Sequence, residues 1–143
     1  AKLHTRSNGA SRATTYSLEA IPRMANTFVE PQDHSFEELL EGVKHGIYMR
    51  SFMEWNIDDK RYNQKYVGTE AYLIKNGRIG QPVRNPVIEL TTPAFWSAVD
   101  ARAKDVDYFS ATCGKGDPMQ GAPVFMGGPS MRLRDIRLGG ASK

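Results

Sequence analysis

Apolar and polar residues alternate along most of this chain and fall into helical spacing in only two short places. Tyr16 to Ile21 alternates loosely, and Pro22 limits any strand there. Met24-Ala25-Asn26-Thr27-Phe28-Val29-Glu30 reads as a short strand closed by Pro31. Ser35 and Glu38 then have the spacing of a capping box, and Phe36, Leu39, Leu40 and Val43 recur on one helical face. Gly42 inside that helix costs about 1 kcal/mol relative to Ala, and Gly46 is expected to close it in a left-handed cap.

Ile47 to Phe52 alternates as a strand, and the polar stretch Met53 to Asn63 is expected to be an exposed loop turning at Asp58-Asp59. Lys65 to Ile74 and Arg78 to Val83 flank Asn76-Gly77, the dipeptide that best tolerates positive φ at both centres of a two-residue hairpin turn. Pro86 to Leu90 is a further short run. Thr92 and Pro93 mark a second helix start, with Phe95, Trp96, Val99 and Ala103 on its apolar face and its end near Lys104-Asp105. Tyr108 to Thr112 is expected to be a strand leading into Cys113. Ala122 to Met126 and Ser130 to Leu138 are expected to be two more, separated by Gly127-Gly128-Pro129. The sum is roughly seven or eight short strands and two short helices, joined mostly as hairpins, which predicts an α+β fold with a mainly antiparallel β-sheet. A β-barrel or sandwich with helical insertions is the nearest competitor.

Composition changes this picture little. The chain has 143 residues, 40% hydrophobic and 24% charged, enough for one packed domain and too apolar for disorder. Residues 1 to about 15 lack apolar periodicity and read as a flexible arm, leaving 16–143 as the β-rich domain. No apolar run reaches the roughly 20 residues of a membrane helix, and no secretory leader is evident at the N-terminus, so a soluble protein without membrane attachment is expected. A single cysteine excludes an internal disulfide and fits a reducing cytoplasm. Net charge is +3 with the basic residues dispersed, which argues against nucleic acid as a partner.

Candidate chemistry concentrates in Ala111-Thr112-Cys113-Gly114-Lys115-Gly116-Asp117. Cys113 beside two glycines and a lysine can be a buried small residue, a nucleophile or a metal ligand. Flanking glycines point to a backbone turn, and Lys115 would favour the thiolate. His4, His34 and His45 have no helical i, i+4 pairing, so spacing alone yields no complete metal site. Gly114-Lys115-Gly116 lacks the full phosphate-loop pattern. Glu37-Glu38 and Asp58-Asp59 read as solvated pairs, and Tyr62, Tyr66 and Tyr72 as strand-face aromatics.

Several segments, in order, resemble the C-terminal part of the TldD/PmbA family, also called modulators of DNA gyrase. Ile21-Pro22-Arg23-Met24-Ala25-Asn26-Thr27 is similar to the family's I-P-R-M-T-N-T segment. Lys44-His45-Gly46-Ile47-Tyr48 resembles its G-[LI]-Y strand, and Glu70-Ala71-Tyr72-Leu73-Ile74-Lys75-Asn76-Gly77 its E-[AG]-Y-L-I-E-N-G hairpin. Thr112-Cys113-Gly114-Lys115 matches T-C-G-K. Pro123-Val124, Gly127-Gly128-Pro129-Ser130-Met131-Arg132 and Leu138-Gly139-Gly140 resemble the closing stretch. The resemblance runs from about Gly9 to Gly140.

That resemblance implies a zinc-dependent peptidase acting on unfolded peptides, with a His-Glu-x-x-x-His helix and the T-C-G-K cysteine around the metal. The cysteine carries over to Cys113, and its presence places the chain nearer the TldD branch than the PmbA branch. The His-Glu-x-x-x-His motif does not occur here and lies upstream in the family. The chain is therefore expected to be a C-terminal fragment, inactive alone, with zinc completed by ligands outside it. Met53-Glu54-Trp55-Asn56 departs from the family's glycine-rich turn. Arg23 and Asn26 are expected to line the peptide cleft, with a strand-end hydrogen-bond network as the equal alternative. The resemblance further implies a homodimer or a heterodimer with a paralogue. A non-catalytic peptide-binding subunit and a gyrase-associated regulator are the alternative functions.

Overall fold

Backbone pairing joins most of the chain into three sheets. The structure is a computed structural model that describes residues 6–140. Its elements in chain order are β1 (Ser11–Arg12), β2 (Ile21–Pro22), β3 (Thr27–Phe28), α1 (Phe36–Leu40), β4 (His45–Ile57) and β5 (Asn63–Lys75). They continue with β6 (Arg78–Pro82), β7 (Val87–Thr91), α2 (Thr92–Ala98), β8 (Val99–Lys115), β9 (Gln120–Leu133) and β10 (Leu138–Gly139). The fold is α+β as expected, dominated by antiparallel sheet with two short helices and no closed barrel among the described residues. The chain divides into two compact units, Ala1–Pro31 with Asp105–Pro129, and Gln32–Lys104 with Ser130–Lys143. We call them the cysteine unit and the hairpin unit; β8 and β9 contribute residues to both.

The hairpin unit holds a five-stranded sheet in the order β10-β7-β5-β4, with β6 also on β5. Its spine is the β4–β5 hairpin, thirteen residues in each strand. The stretch Met53 to Asn63, expected to be a loop, is strand as far as Ile57, and only residues 58–62 turn. Polar and charged residues extend here because both faces of the hairpin tip are exposed, so no apolar alternation is required. Asp58 makes the tight turn: its carboxylate accepts from Tyr62 N–H at 2.8 Å, Asn63 N–H at 3.1 Å and Asn63 Nδ2 at 2.8 Å. The Asn76-Gly77 turn forms as predicted, with φ of 50° and 74°. Its two amides donate to the Lys44 and Val43 carbonyls, both at 2.9 Å.

Helix α1 carries the predicted capping box. Ser35 Oγ accepts from Glu38 N–H at 3.2 Å, and the Ser35 N–H donates to Glu38 Oε2 at 2.6 Å. The expected end at Gly46 is wrong. Glu41 is the C-cap, and Gly42 takes the left-handed conformation at φ 73°. The helix therefore stops a turn early and frees Gly46 to enter β4 opposite Ile74. Leu39 from α1 packs in a buried cluster with Ala101 and Ala103. Helix α2 begins one residue earlier than expected at its cap: Thr91, not Thr92, accepts from Ala94 N–H. It ends at Ala98, and Val99 already belongs to β8.

In the cysteine unit β3, β9 and β8 lie side by side in that order, and β3 runs parallel to β9. Gly127-Gly128-Pro129 does not break the chain into two strands as expected; β9 passes straight through it. A Cβ on Gly127 would lie 2.5 Å from the Asp107 carbonyl oxygen and 2.7 Å from Tyr108 Cδ1. The glycine permits close approach of neighbouring backbone rather than a turn. Ser11 and Arg12, within the stretch expected to be an arm, pair with Pro22 and Ile21. The first five residues of that arm lie outside the described residues.

Candidate functional site

Cys113 sits near the end of β8, just before the turn that leads into β9. Gly116 at φ 100° gives that turn its shape. A side chain there would lie 3.0 Å from Ile21 Cδ1 and 3.1 Å from the Pro118 carbonyl oxygen. Cys113 is a free, half-buried thiol, neither sealed in the interior nor fully exposed.

Arg23 organises its surroundings. The residue is 5% exposed, among the most buried polar groups of the described chain. Its Nη2 donates to the Gln120 carbonyl at 2.9 Å and also to the Cys113 carbonyl, joining both sides of the turn. Nε and Nη1 are buried without a hydrogen-bond partner among the described residues. The Arg23 guanidinium beside the sulfur is the largest influence lowering the Cys113 thiol below its usual value. The Met24 N–H and Lys115 act in the same direction, and partial burial opposes them. Lys115 itself is engaged, its Nζ donating to the Pro22 carbonyl at 2.9 Å.

Gln120 completes the frame and was missed in the sequence. It is 5% exposed; its Oε1 accepts from Thr14 N–H at 3.1 Å, and its Nε2 donates to the Glu19 carbonyl at 3.0 Å. The available signal was its place at the head of the inward series Gln120, Ala122, Val124, where a polar residue must find partners. Asn26, exposed, accepts at Oδ1 from the Phe125 N–H at 2.9 Å. Arg23 is thus brought to Cys113, whereas Asn26 ties β3's leading end to β9.

As chemistry, this is one soft donor favoured in its anionic form, which fits a single thiolate ligand of a zinc ion. Among the described residues no group of three or more His, Cys, Asp or Glu converges to hold a metal. His34 and His45 belong to the hairpin unit, and His4 lies outside the described residues. Among the described residues, the groups that act on the Cys113 thiol include no histidine.

A family model described as "PmbA/TldA metallopeptidase C-terminal domain" matches residues 1–140. The chain belongs to the PmbA/TldD metallopeptidase family. It is 31% identical over 140 residues to a protein named metalloprotease TldD homolog from Buchnera aphidicola, covering 96% of this chain and 29% of that protein. It is 32% identical over 132 residues to a zinc metalloprotease TldD homolog from Saccharolobus solfataricus, covering 92% and 29% respectively. The chain therefore spans about three-tenths of the length of these relatives. Its fold is shared with TldE from Thermococcus kodakarensis, at a TM-score of 0.71 and 13% identity over 96% of this chain and 29% of that one. No helix among the described residues is long and apolar enough to cross a membrane.

Proposed function

We propose that this domain donates the Cys113 thiolate to the zinc centre of a TldD-type peptidase that acts on unfolded peptides. The observation that carries the reading is the position of the thiol: half-buried at a turn, with a buried guanidinium, a backbone N–H and a lysine all favouring its anion. The remaining ligands and the catalytic base would come from the upstream segment that the longer relatives possess. When bound, such a metal supplies polarisation of a peptide carbonyl and activation of water. The domain's own part is to hold the sulfur at a fixed place beside the cleft.

The cleft reading draws on topology. β8 lies at the edge of its sheet, so an extended peptide adding to that edge would run alongside Cys113 through main-chain hydrogen bonds. Such binding tolerates many sequences, as trimming of unfolded chains requires. Asn26, exposed near the same sheet, would offer its amide NH2 to a peptide carbonyl. The test is cleavage of an unfolded peptide by the full-length gene product. Replacing Cys113 by Ser is expected to abolish turnover while leaving the fold intact; turnover equal to the unmodified protein would overturn the reading.

A further inference from the structure

We propose that Arg23 is a positioning residue for the Cys113 ligand, its guanidinium bracing the turn through Nη2 and keeping Nε and Nη1 free to donate to a metal-bound thiolate. The inference rests on the reading of Cys113 as a metal ligand. The bracing is direct: Nη2 takes the carbonyls of Cys113 on β8 and Gln120 on β9. The backbone from which Sγ projects is therefore clamped to the strand that returns from the turn. The clamp is itself fixed, since Gln120 is buried and held by Thr14 and Glu19.

The second observation is independent. Arg23 is 5% exposed, yet its Nε and Nη1 have no partner among the described residues, and no carboxylate among those residues pairs with it. Buried cations without an anion are strongly disfavoured. The anion proposed for these donors is the thiolate of Cys113, the residue whose carbonyl Nη2 already takes. A metal-bound thiolate retains negative charge and accepts N–H donors that fix its direction and temper its charge. The flat fork of arginine spreads its donors over three nitrogens in one plane, whereas the three donors of lysine all spring from one atom.

The experiment uses the full-length gene product with cobalt(II) or zinc as the probe. Zinc affinity is read by chelator competition, and the thiolate-to-cobalt charge-transfer band is read by absorption. Arg23→Lys is expected to weaken zinc binding about 10- to 100-fold, as for other outer-shell partners, and to shift that band. Arg50→Ala, which loses only an exposed ion pair with Glu70 in the hairpin unit, is expected to change neither. Arg23→Lys with unaltered affinity and an unaltered band would overturn the proposal. Should that variant not fold, the unmodified protein decides. Loading with metal is expected to shift an arginine Nε–H resonance and slow its exchange; an unchanged resonance would refute the contact. Cys113→Ser separates the two claims. If it retains zinc, the ligand reading fails; if it loses zinc while Arg23→Lys does not, only the role of Arg23 fails.

Discussion

The two units satisfy their polar groups in different ways. In the hairpin unit charge meets charge and caps meet amides. Asp100 takes Arg132 at 2.9 Å and Arg134 at 2.8 Å, while Arg132 Nη1 also donates to the Leu39 carbonyl at 3.2 Å and the Glu41 carbonyl at 3.3 Å. In the cysteine unit side chains reach main-chain atoms: Arg23, Gln120, Lys115 and Asn26 each tie together segments far apart in sequence. Yet this unit keeps two buried donors of Arg23 unpaired. Among the described residues, this frame leaves a buried cation without a carboxylate partner. The hairpin unit is the better-satisfied scaffold, and the thiol lies in the unit that is not.

This contrast can be broken by substitution. The largest effect is expected from Leu39→Ala, which empties a buried position against Ala101 and Ala103 and should cost about 2–4 kcal/mol in chemical denaturation. Hydrogen exchange should show that loss in the amides of the hairpin unit; a loss of under 1 kcal/mol would deny that its core sits there. Gly127→Ala comes next, at about 1–3 kcal/mol, because the new Cβ meets the Asp107 carbonyl at 2.5 Å and the neighbouring strand must shift. A neutral result in thermal melts would show that β8 and β9 are less closely apposed than described. Ser35→Ala removes the cap of α1 and should cost about 1 kcal/mol, whereas Ser35→Thr should restore most of it.

The smallest effect concerns pH. Hydrogen bonds from Arg132 lead the causes that hold the Asp100 carboxyl below its ordinary 3.8, at about 2. A depressed value in the folded state means the contribution is complete above about pH 4 and disappears as pH falls toward 2. The carboxylate is a third exposed, so solvent screening leaves about 1 kcal/mol. Asp100→Asn should therefore flatten the stability curve between those pH values and lower it above them. Superimposable curves for the two proteins would remove the ion pair from the account.

The features legible in the sequence were those fixed by local chemistry. The Ser35-Glu38 box and the Asn76-Gly77 turn depend on residues within a few positions and formed as read. The errors arose where distant backbone decided. Gly127 answers to Asp107 and Tyr108 rather than to a turn. Residues 53–57 extend because β5 pairs with them, not because they alternate. Cys113 was visible as the only thiol, followed by Gly114-Lys115-Gly116. The burial of Arg23 and the placing of Gln120 came only from folding, since their partners lie about a hundred residues away in sequence.

The central claim, that Cys113 is a metal ligand, is tested most directly by the zinc content of the full-length gene product after exhaustive dialysis. The account predicts that the unmodified protein retains bound zinc and that Cys113→Ser, folded by circular dichroism, loses it. Equal zinc in both proteins would contradict it.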